Sequence, residues 1–223
     1  MADTKAKVER ALYGPGVTEV TLGALLSLVL GGALALVYLA WKPVETVKEV
    51  PAEPAAGLVY YVPGSTNATK GRQYLRKRQL LVEGSSGEVI NLSEEELNAW
   101  IGSSRANPDG AGQGGLVSPQ SINFRIQDGV FQVGLPCTVS LFGVNRPIIL
   151  QARGGFTSDG ESHVFSPEEV HVGSLAAHRV PGLTALVRSR LFDLERIPED
   201  LRTAWNQLER VEVTGDQLVL TLP

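Results

Sequence analysis

The sequence contains a single cysteine, Cys137, in 223 residues. That excludes an internal disulfide framework and a zinc site built from several thiolates. Aromatic residues make up only 6% of the chain, too few for a sugar-stacking platform or a base-stacking surface. Basic residues are not in excess. The 20 Lys and Arg against 24 Asp and Glu give a net charge of −4, whereas a nucleic-acid binder carries a basic stripe. The three histidines, His163, His171 and His178, fit no metal-ligand spacing, so no metal and no other cofactor is expected. Along an uninterrupted strand His163 and His171 would share a face, about 27 Å apart, and be solvated. Glu168 and Glu169 follow Pro167 at what reads as an exposed bend. The sequence has no G-x-S-x-G elbow, H-E-x-x-H pair or P-loop, and the chain is read as a non-enzyme.

What the sequence does have is one long uncharged run. Residues 21–41, TLGALLSLVLGGALALVYLAW, form a helix of about 30 Å, the thickness of a bilayer's hydrocarbon core. Tyr38 and Trp41 stand at its end, where amphipathic rings favour the headgroup layer, and Lys42 follows. The run is longer than the apolar part of a cleaved signal peptide, and its one A-x-A, at Ala33 and Ala35, lies inside it. An uncleaved single-pass anchor is therefore expected. Lys5, Lys7 and Arg10 precede it against Lys42 and Lys48 just after, which makes residues 1–20 a cytoplasmic tail. Counting on to Lys70, Arg72, Arg76, Lys77 and Arg78 would reverse the tally, at the limit of the flanking window. Gly23, Ser27, Gly31 and Ala35 recur every fourth residue, a small-residue face on which a second membrane helix could pack.

Residues 42–57, KPVETVKEVPAEPAAG, have the composition of a semi-rigid linker, and residues 58–223 are read as one α+β domain. LVYYV at 58–62 is a β-type run, and a basic helix is expected over 68–82 after caps at Ser65 to Asn67. The clearest local signal is NLSEEELNAWI at 91–101. Ser93 and Glu96 form a capping box, Glu94 and Glu95 complement the helix N-terminus, and Leu97, Trp100 and Ile101 make an apolar stripe. Capping accounts for all three carboxylates without catalysis. Gly110, Gly112 and Gly115 loosely copy a phosphate cradle, but no strand precedes them, so 102–118 reads as a loop.

The period then changes to two. Ile122, Phe124 and Ile126 alternate with polar residues, Asp128-Gly129 turns the chain, and VFQVGL returns. Further strands are expected at 137–142, 147–157 and 162–172, with a turn at Asp159-Gly160. Gly134, Gly143, Gly154 and Gly155 point to bulges and bending. Leu183, Leu186, Val187 and Leu191 then fit one helix, and Leu201, Trp205 and Leu208 a second. A last hairpin turns at Gly215-Asp216 and puts Leu218, Leu220 and Leu222 on one face. The predicted architecture is α+β: the transmembrane helix plus a curved antiparallel sheet packed with helices.

NLSEEELNAWI, SINFRIQDGVFQVGL and HVGSLAAHRVPGL together resemble the YpmS-like family of membrane-anchored bacterial envelope proteins and, more loosely, tubular lipid-binding-like domains. Leu92, Ser93, Glu96, Leu97 and Asn98 carry the first element of that pattern, Asp128-Gly129 the second, Gly173 and Pro181 the third. The resemblance covers residues 88–223 and the anchor. It implies a bacterial inner-membrane location, an extracytoplasmic domain and no catalytic site. The sequence then supports two functional expectations. One is a membrane-tethered binding module with an apolar groove for a lipid tail or another apolar ligand. Its candidate lining is Phe124, Ile126, Val133, Ile149, Phe156, Leu183, Leu186 and Val187, residues that would otherwise simply fill the core. The other is a non-enzymatic structural or assembly subunit that meets an envelope protein partner. Beyond these, the bilayer is the expected partner, and nucleic acid is not.

Overall fold

The computed structural model describes residues 14–67, 69, 72–104, 117–141, 143–158, 160, 162–185 and 199–223. Several sequence expectations lie outside the described residues: Lys5, Lys7 and Arg10, the glycines at 110, 112 and 115, Asp159, and Leu186, Val187 and Leu191. The long apolar run forms helix α1, Val17–Trp41, which starts upstream of the uncharged stretch. The Thr21 hydroxyl donates to the Val17 carbonyl at 2.8 Å within it. Helix α1 contains an 18-residue window of mean hydropathy 2.3 and has no buried residue, and it is long and apolar enough to cross a membrane. All but its last residue lie in the first of two units, Met1–Ala40; the second is Trp41–Pro223.

In the second unit the proline-bearing stretch folds back as a strap. Strand β1 (Glu45–Thr46) pairs in parallel with β2 (Tyr60–Tyr61). Pro43, Pro51 and Pro54 have no N–H to give, but the neighbours supply donors. Glu45 N–H donates to Val59 O at 3.1 Å and Val47 N–H to Tyr61 O at 3.0 Å. Lys42 Nζ donates to Gly57 O at 2.6 Å, and the Ser174 hydroxyl to Lys42 O at 3.3 Å. The semi-rigid stretch 42–57 is thus hydrogen-bonded to residues 57–61 and to Ser174.

Within the stretch expected to be a basic helix, the structure has α2 (Tyr74–Glu83). Strand β3 (Val89–Ser93) runs straight into α3 (Glu94–Ser104) through the capping box. Ser93 N–H donates to Glu96 Oε2 at 2.9 Å, and Glu96 N–H reaches Ser93 Oγ at 3.4 Å. The other strands are β4 (Val117–Pro119), β5 (Asn123–Gln127), β6 (Val130–Leu141), β7 (Val144–Ser158), β8 (His163–Val172) and β9 (Leu175–Ala176). Helix α4 (Glu199–Asn206) and strands β10 (Arg210–Thr214) and β11 (Gln217–Thr221) complete the chain.

These strands form two antiparallel sheets. One has the order β4-β6-β7-β8-β9, with β5 also on β6; the other is β10-β11-β3. The C-terminal hairpin therefore pairs with β3 and stays out of the larger sheet. At the β5–β6 turn Asp128 and Gly129 both take positive φ, 52° and 77°, as a two-residue type I′ hairpin requires. The β10–β11 turn lies beside it, with Gly129 N–H donating to Gly215 O at 2.9 Å. The runs expected as separate strands at 130–135 and 137–142 are one strand, β6. Pro136 does not break it because it falls between the stretch paired with β5 and the stretch paired with β4, where no ladder donor is needed.

Strand β8 carries a bulge. Arg153 faces Glu169 and Gly154 faces Pro167, which leaves Glu168 as the extra residue. A Cβ on Gly154 would overlap the Ser166 carbonyl oxygen, so the close approach needs glycine. Side chains alternate along a strand, and one extra residue reverses the alternation. His163 and Phe165 therefore point to one face and Glu169 and His171 to the other. The two histidines do not share a face, contrary to the reading from an uninterrupted strand.

The core lies on the front of the larger sheet, against α2, α3, α4 and the smaller sheet. Phe131, Val133, Leu135 and Cys137 of β6 alternate into it, as do Ile90 and Leu92 of β3 and Leu218 and Leu220 of β11, with Leu222 just beyond. Phe131 centres a ring cluster, 5.5 Å from Phe124, 5.2 Å from Phe156 and 5.6 Å from Phe165.

Candidate ligand-binding site

The back of the larger sheet is polar where its front is apolar. Register places Gln132, Arg153 and Glu169 side by side on β6, β7 and β8, with Gly134, Gln151 and His171 in the next row. The strap crosses this face. Tyr61 and Val62 are buried on it, and the Tyr61 ring lies where a side chain at position 134 would stand. Burial pushes the Tyr61 hydroxyl pKa up to about 12, so it remains protonated.

Between strap and sheet is a hollow of about 200 Å³. Val50, Leu58 and Val59 form its apolar wall; Tyr60, Gln151, Arg153, Glu169 and His171 form its polar one. Arg153 is held from below, its Nε–H donating to Gln132 Oε1 at 3.0 Å, while Gln132 Nε2 donates to Val62 O at 3.4 Å. Among the described residues no ion pair joins Arg153 to a carboxylate, although Glu169 is its neighbour in register. Gln151 is only 4% exposed, and its Nε2 is buried with no hydrogen-bond partner. A buried amide donor left unpaired costs about 1–3 kcal/mol. Gln151→Leu should accordingly leave the melting temperature unchanged or higher by a few degrees; a clear fall in a thermal melt would show that the amide supports the fold.

His171 has a pKa below its ordinary 6.5, first because burial disfavours the charged form and then because His178, Arg153 and Arg179 are near; Glu169 opposes the shift. The His171 and His178 rings meet edge to face at 5.3 Å. Between the lowered folded value and 6.5 the unfolded chain binds the proton first, so stability falls as pH drops through that window. His171→Gln should shrink the loss in melting temperature between pH 7.5 and pH 5.5, measured side by side with the parent protein. The other two histidines are tied to backbone rather than solvated. His163 Nε2–H donates to Leu208 O at 3.1 Å, and His178 Nδ1 is 3.1 Å from Val170 O.

The eight candidate groove residues do not form one surface. Ile126 and Val133 are 3% and 1% exposed in the core, with Phe124, Phe156 and Leu183 packed against it. Ile149 shares the back face with Gln151, opposite Val133, because strand alternation separates them. Leu186 and Val187 lie outside the described residues. Gly23, Ser27, Gly31 and Ala35 are exposed along α1, with open space beside the two glycines.

A second hollow, of about 420 Å³, lies where Glu94, Glu95, Arg125 and Asp216 approach one another. Its central carboxylate is already engaged: Glu94 accepts from Ser65 N–H at 2.8 Å and from Ile126 N–H at 3.1 Å. Among the described residues no three His, Cys, Asp or Glu side chains gather as a metal would need. Cys137 is buried, its thiol 3.6 Å from the Leu135 carbonyl.

The strapped hollow was not legible in the sequence, since its walls come from residues far apart in the chain. The one local signal was Gln132 and Gln151, polar residues inside otherwise apolar strand runs. No protein-family model and no curated protein matches this chain.

Proposed function

We propose that this protein is a membrane-tethered, extracytoplasmic binding module of the bacterial envelope, non-enzymatic, that takes its ligand in the strapped hollow on the back of the sheet. The observation that carries this reading is Gln151, a residue of the hollow's wall whose buried amide nitrogen has no partner. Helix α1 supports the tether by its length and hydropathy, and the charge bias around it favours a cytoplasmic N-terminus. The resemblance to YpmS-like envelope proteins points the same way. In this reading the Glu168 bulge also curves the sheet toward the strap. The hollow is preferred to the apolar groove expected from sequence because five of that groove's residues, Phe124, Ile126, Val133, Phe156 and Leu183, pack in or against the core.

Native mass spectrometry of the full-length protein in detergent tests the site. A small molecule that travels with the parent protein and is lost from Gln151→Leu is the expected result; retention by the variant would remove the hollow from consideration. Protease treatment of intact spheroplasts tests the topology: the domain should be cleaved, and its protection until the membrane is opened would reverse the orientation. A second reading, an assembly subunit, is favoured by apolar residues left exposed on the sheet's front beyond the core, Val117 at 51% and Val144 at 50%. Val144→Asp should then change the size of the protein's complex on a native gel.

A further inference from the structure

The polar wall of the hollow has both signs of charge and both kinds of hydrogen-bonding group, and they do not satisfy one another. Arg153 and Glu169 are direct neighbours across β7 and β8, yet no ion pair joins them. Gln132, itself 5% exposed, accepts the Arg153 Nε–H, which fixes the guanidinium plane and leaves its terminal N–H groups to other partners. A guanidinium held in this way presents a fork that fits a carboxylate with two parallel hydrogen bonds. The Tyr60 hydroxyl oxygen accepts from Ala55 N–H at 3.2 Å, so its own hydrogen remains to be donated. Glu169 is the one carboxylate on the wall and has no cation of the protein paired with it among the described residues. His171, uncharged at neutral pH, adds no positive charge to compete for it.

We infer that the hollow binds a small zwitterion of the amino-acid class, its carboxylate on Arg153, its ammonium on Glu169, and its apolar side group against Val50, Leu58 and Val59. This rests on the hollow being the ligand site. A ligand with only a negative charge would leave Glu169 facing it unpaired, and one with only a positive charge would do the same to Arg153. The volume of about 200 Å³ suits a molecule of that size.

Titration calorimetry on the full-length protein in detergent, with three probes, separates the alternatives. The probes are L-leucine, isocaproate (the same skeleton without the ammonium) and isopentylamine (the skeleton without the carboxylate). L-leucine should bind about tenfold or more tightly than either half-ligand, because a site built for a polar group rejects the analogue that lacks it. Glu169→Gln, an exposed and near-isosteric change, should erase the preference for leucine over isocaproate. Arg153→Gln should erase binding of both while the circular dichroism melt keeps its cooperative transition. If isocaproate or isopentylamine binds as well as leucine and Gln151→Leu weakens it, the hollow remains the site and the zwitterion assignment is overturned. If none of the three binds, the assignment is likewise overturned. The hollow itself is then judged by its co-purifying ligand.

Discussion

Gly64→Ala should cost roughly 3 kcal/mol of stability, which for a domain of this size lowers the melting temperature by about 6–12 °C. The effect comes from one crowded crossing. A Cβ at position 64 would overlap the Phe124 carbonyl oxygen, and it would stand 3.0 Å from Asn98 Nδ2. Both obstacles belong to a clamp that cannot give way cheaply. The Asn98 side chain is 8% exposed and imitates a neighbouring strand. Its Nδ2 donates to Phe124 O at 2.8 Å and to Ser65 O at 3.0 Å, and its Oδ1 accepts from Phe124 N–H at 2.7 Å. Asn123 does the same for Gly64, accepting its N–H and reaching its carbonyl at 3.4 Å. Moving the strap away from β5 to admit a methyl group would strand these polar groups away from water. Thermal denaturation followed by circular dichroism reads the effect, and a shift under about 1 °C would mean that the crossing relaxes freely. Gly155→Ala, where a Cβ meets nothing within 4 Å, is the matched control.

Glu96→Ala should be nearly as damaging, at about 3 kcal/mol. Sequence reading makes Glu96 half of a capping box, and it is. The structure adds a second task, because the side chain is 3% exposed and Lys77 Nζ stands 2.7 Å from each carboxylate oxygen. Lys77 also donates to the Asn91 carbonyl, so one ammonium ties α2 to the β3–α3 junction. Removing the carboxylate alone leaves that ammonium, 28% exposed, without its counter-charge. A double-mutant cycle with Lys77→Met isolates the pair, and a coupling of about 1–3 kcal/mol is expected. Strict additivity of the two changes would reduce Glu96 to its cap. Ser93→Ala, which removes the reciprocal cap and leaves the ion pair, should cost only about 1 kcal/mol.

Several features could be read from the chain because their physics is local. The Ser93–Glu96 box, the Asp128-Gly129 turn and the Leu218, Leu220, Leu222 alternation each depend on residues a few positions apart, so spacing alone exposes them. The length and hydropathy of α1 belong to the same class. Other features depend on contacts between distant parts of the chain. Strand β3 has no local signal because its partner, β11, lies at the other end of the domain. Residues 42–57 have a linker's composition because proline suppresses strand patterning, although the N–H groups of Glu45 and Val47 still find carbonyls.

The sequence by itself determined that this chain has an apolar helix of membrane-crossing length followed by an α+β domain without a recognisable catalytic motif. Hydropathy, caps and turns are properties of neighbouring residues, and they survive without a fold. Tertiary structure decided which face of the sheet each residue occupies. One extra residue at Glu168 sends His171 and Glu169 to the back of the sheet, beside Arg153 and the unpartnered Gln151, while His163 turns toward the core. Side-chain direction in a strand has a period of two, so a single bulge reverses every assignment beyond it. That reversal is what gives the hollow its charged wall.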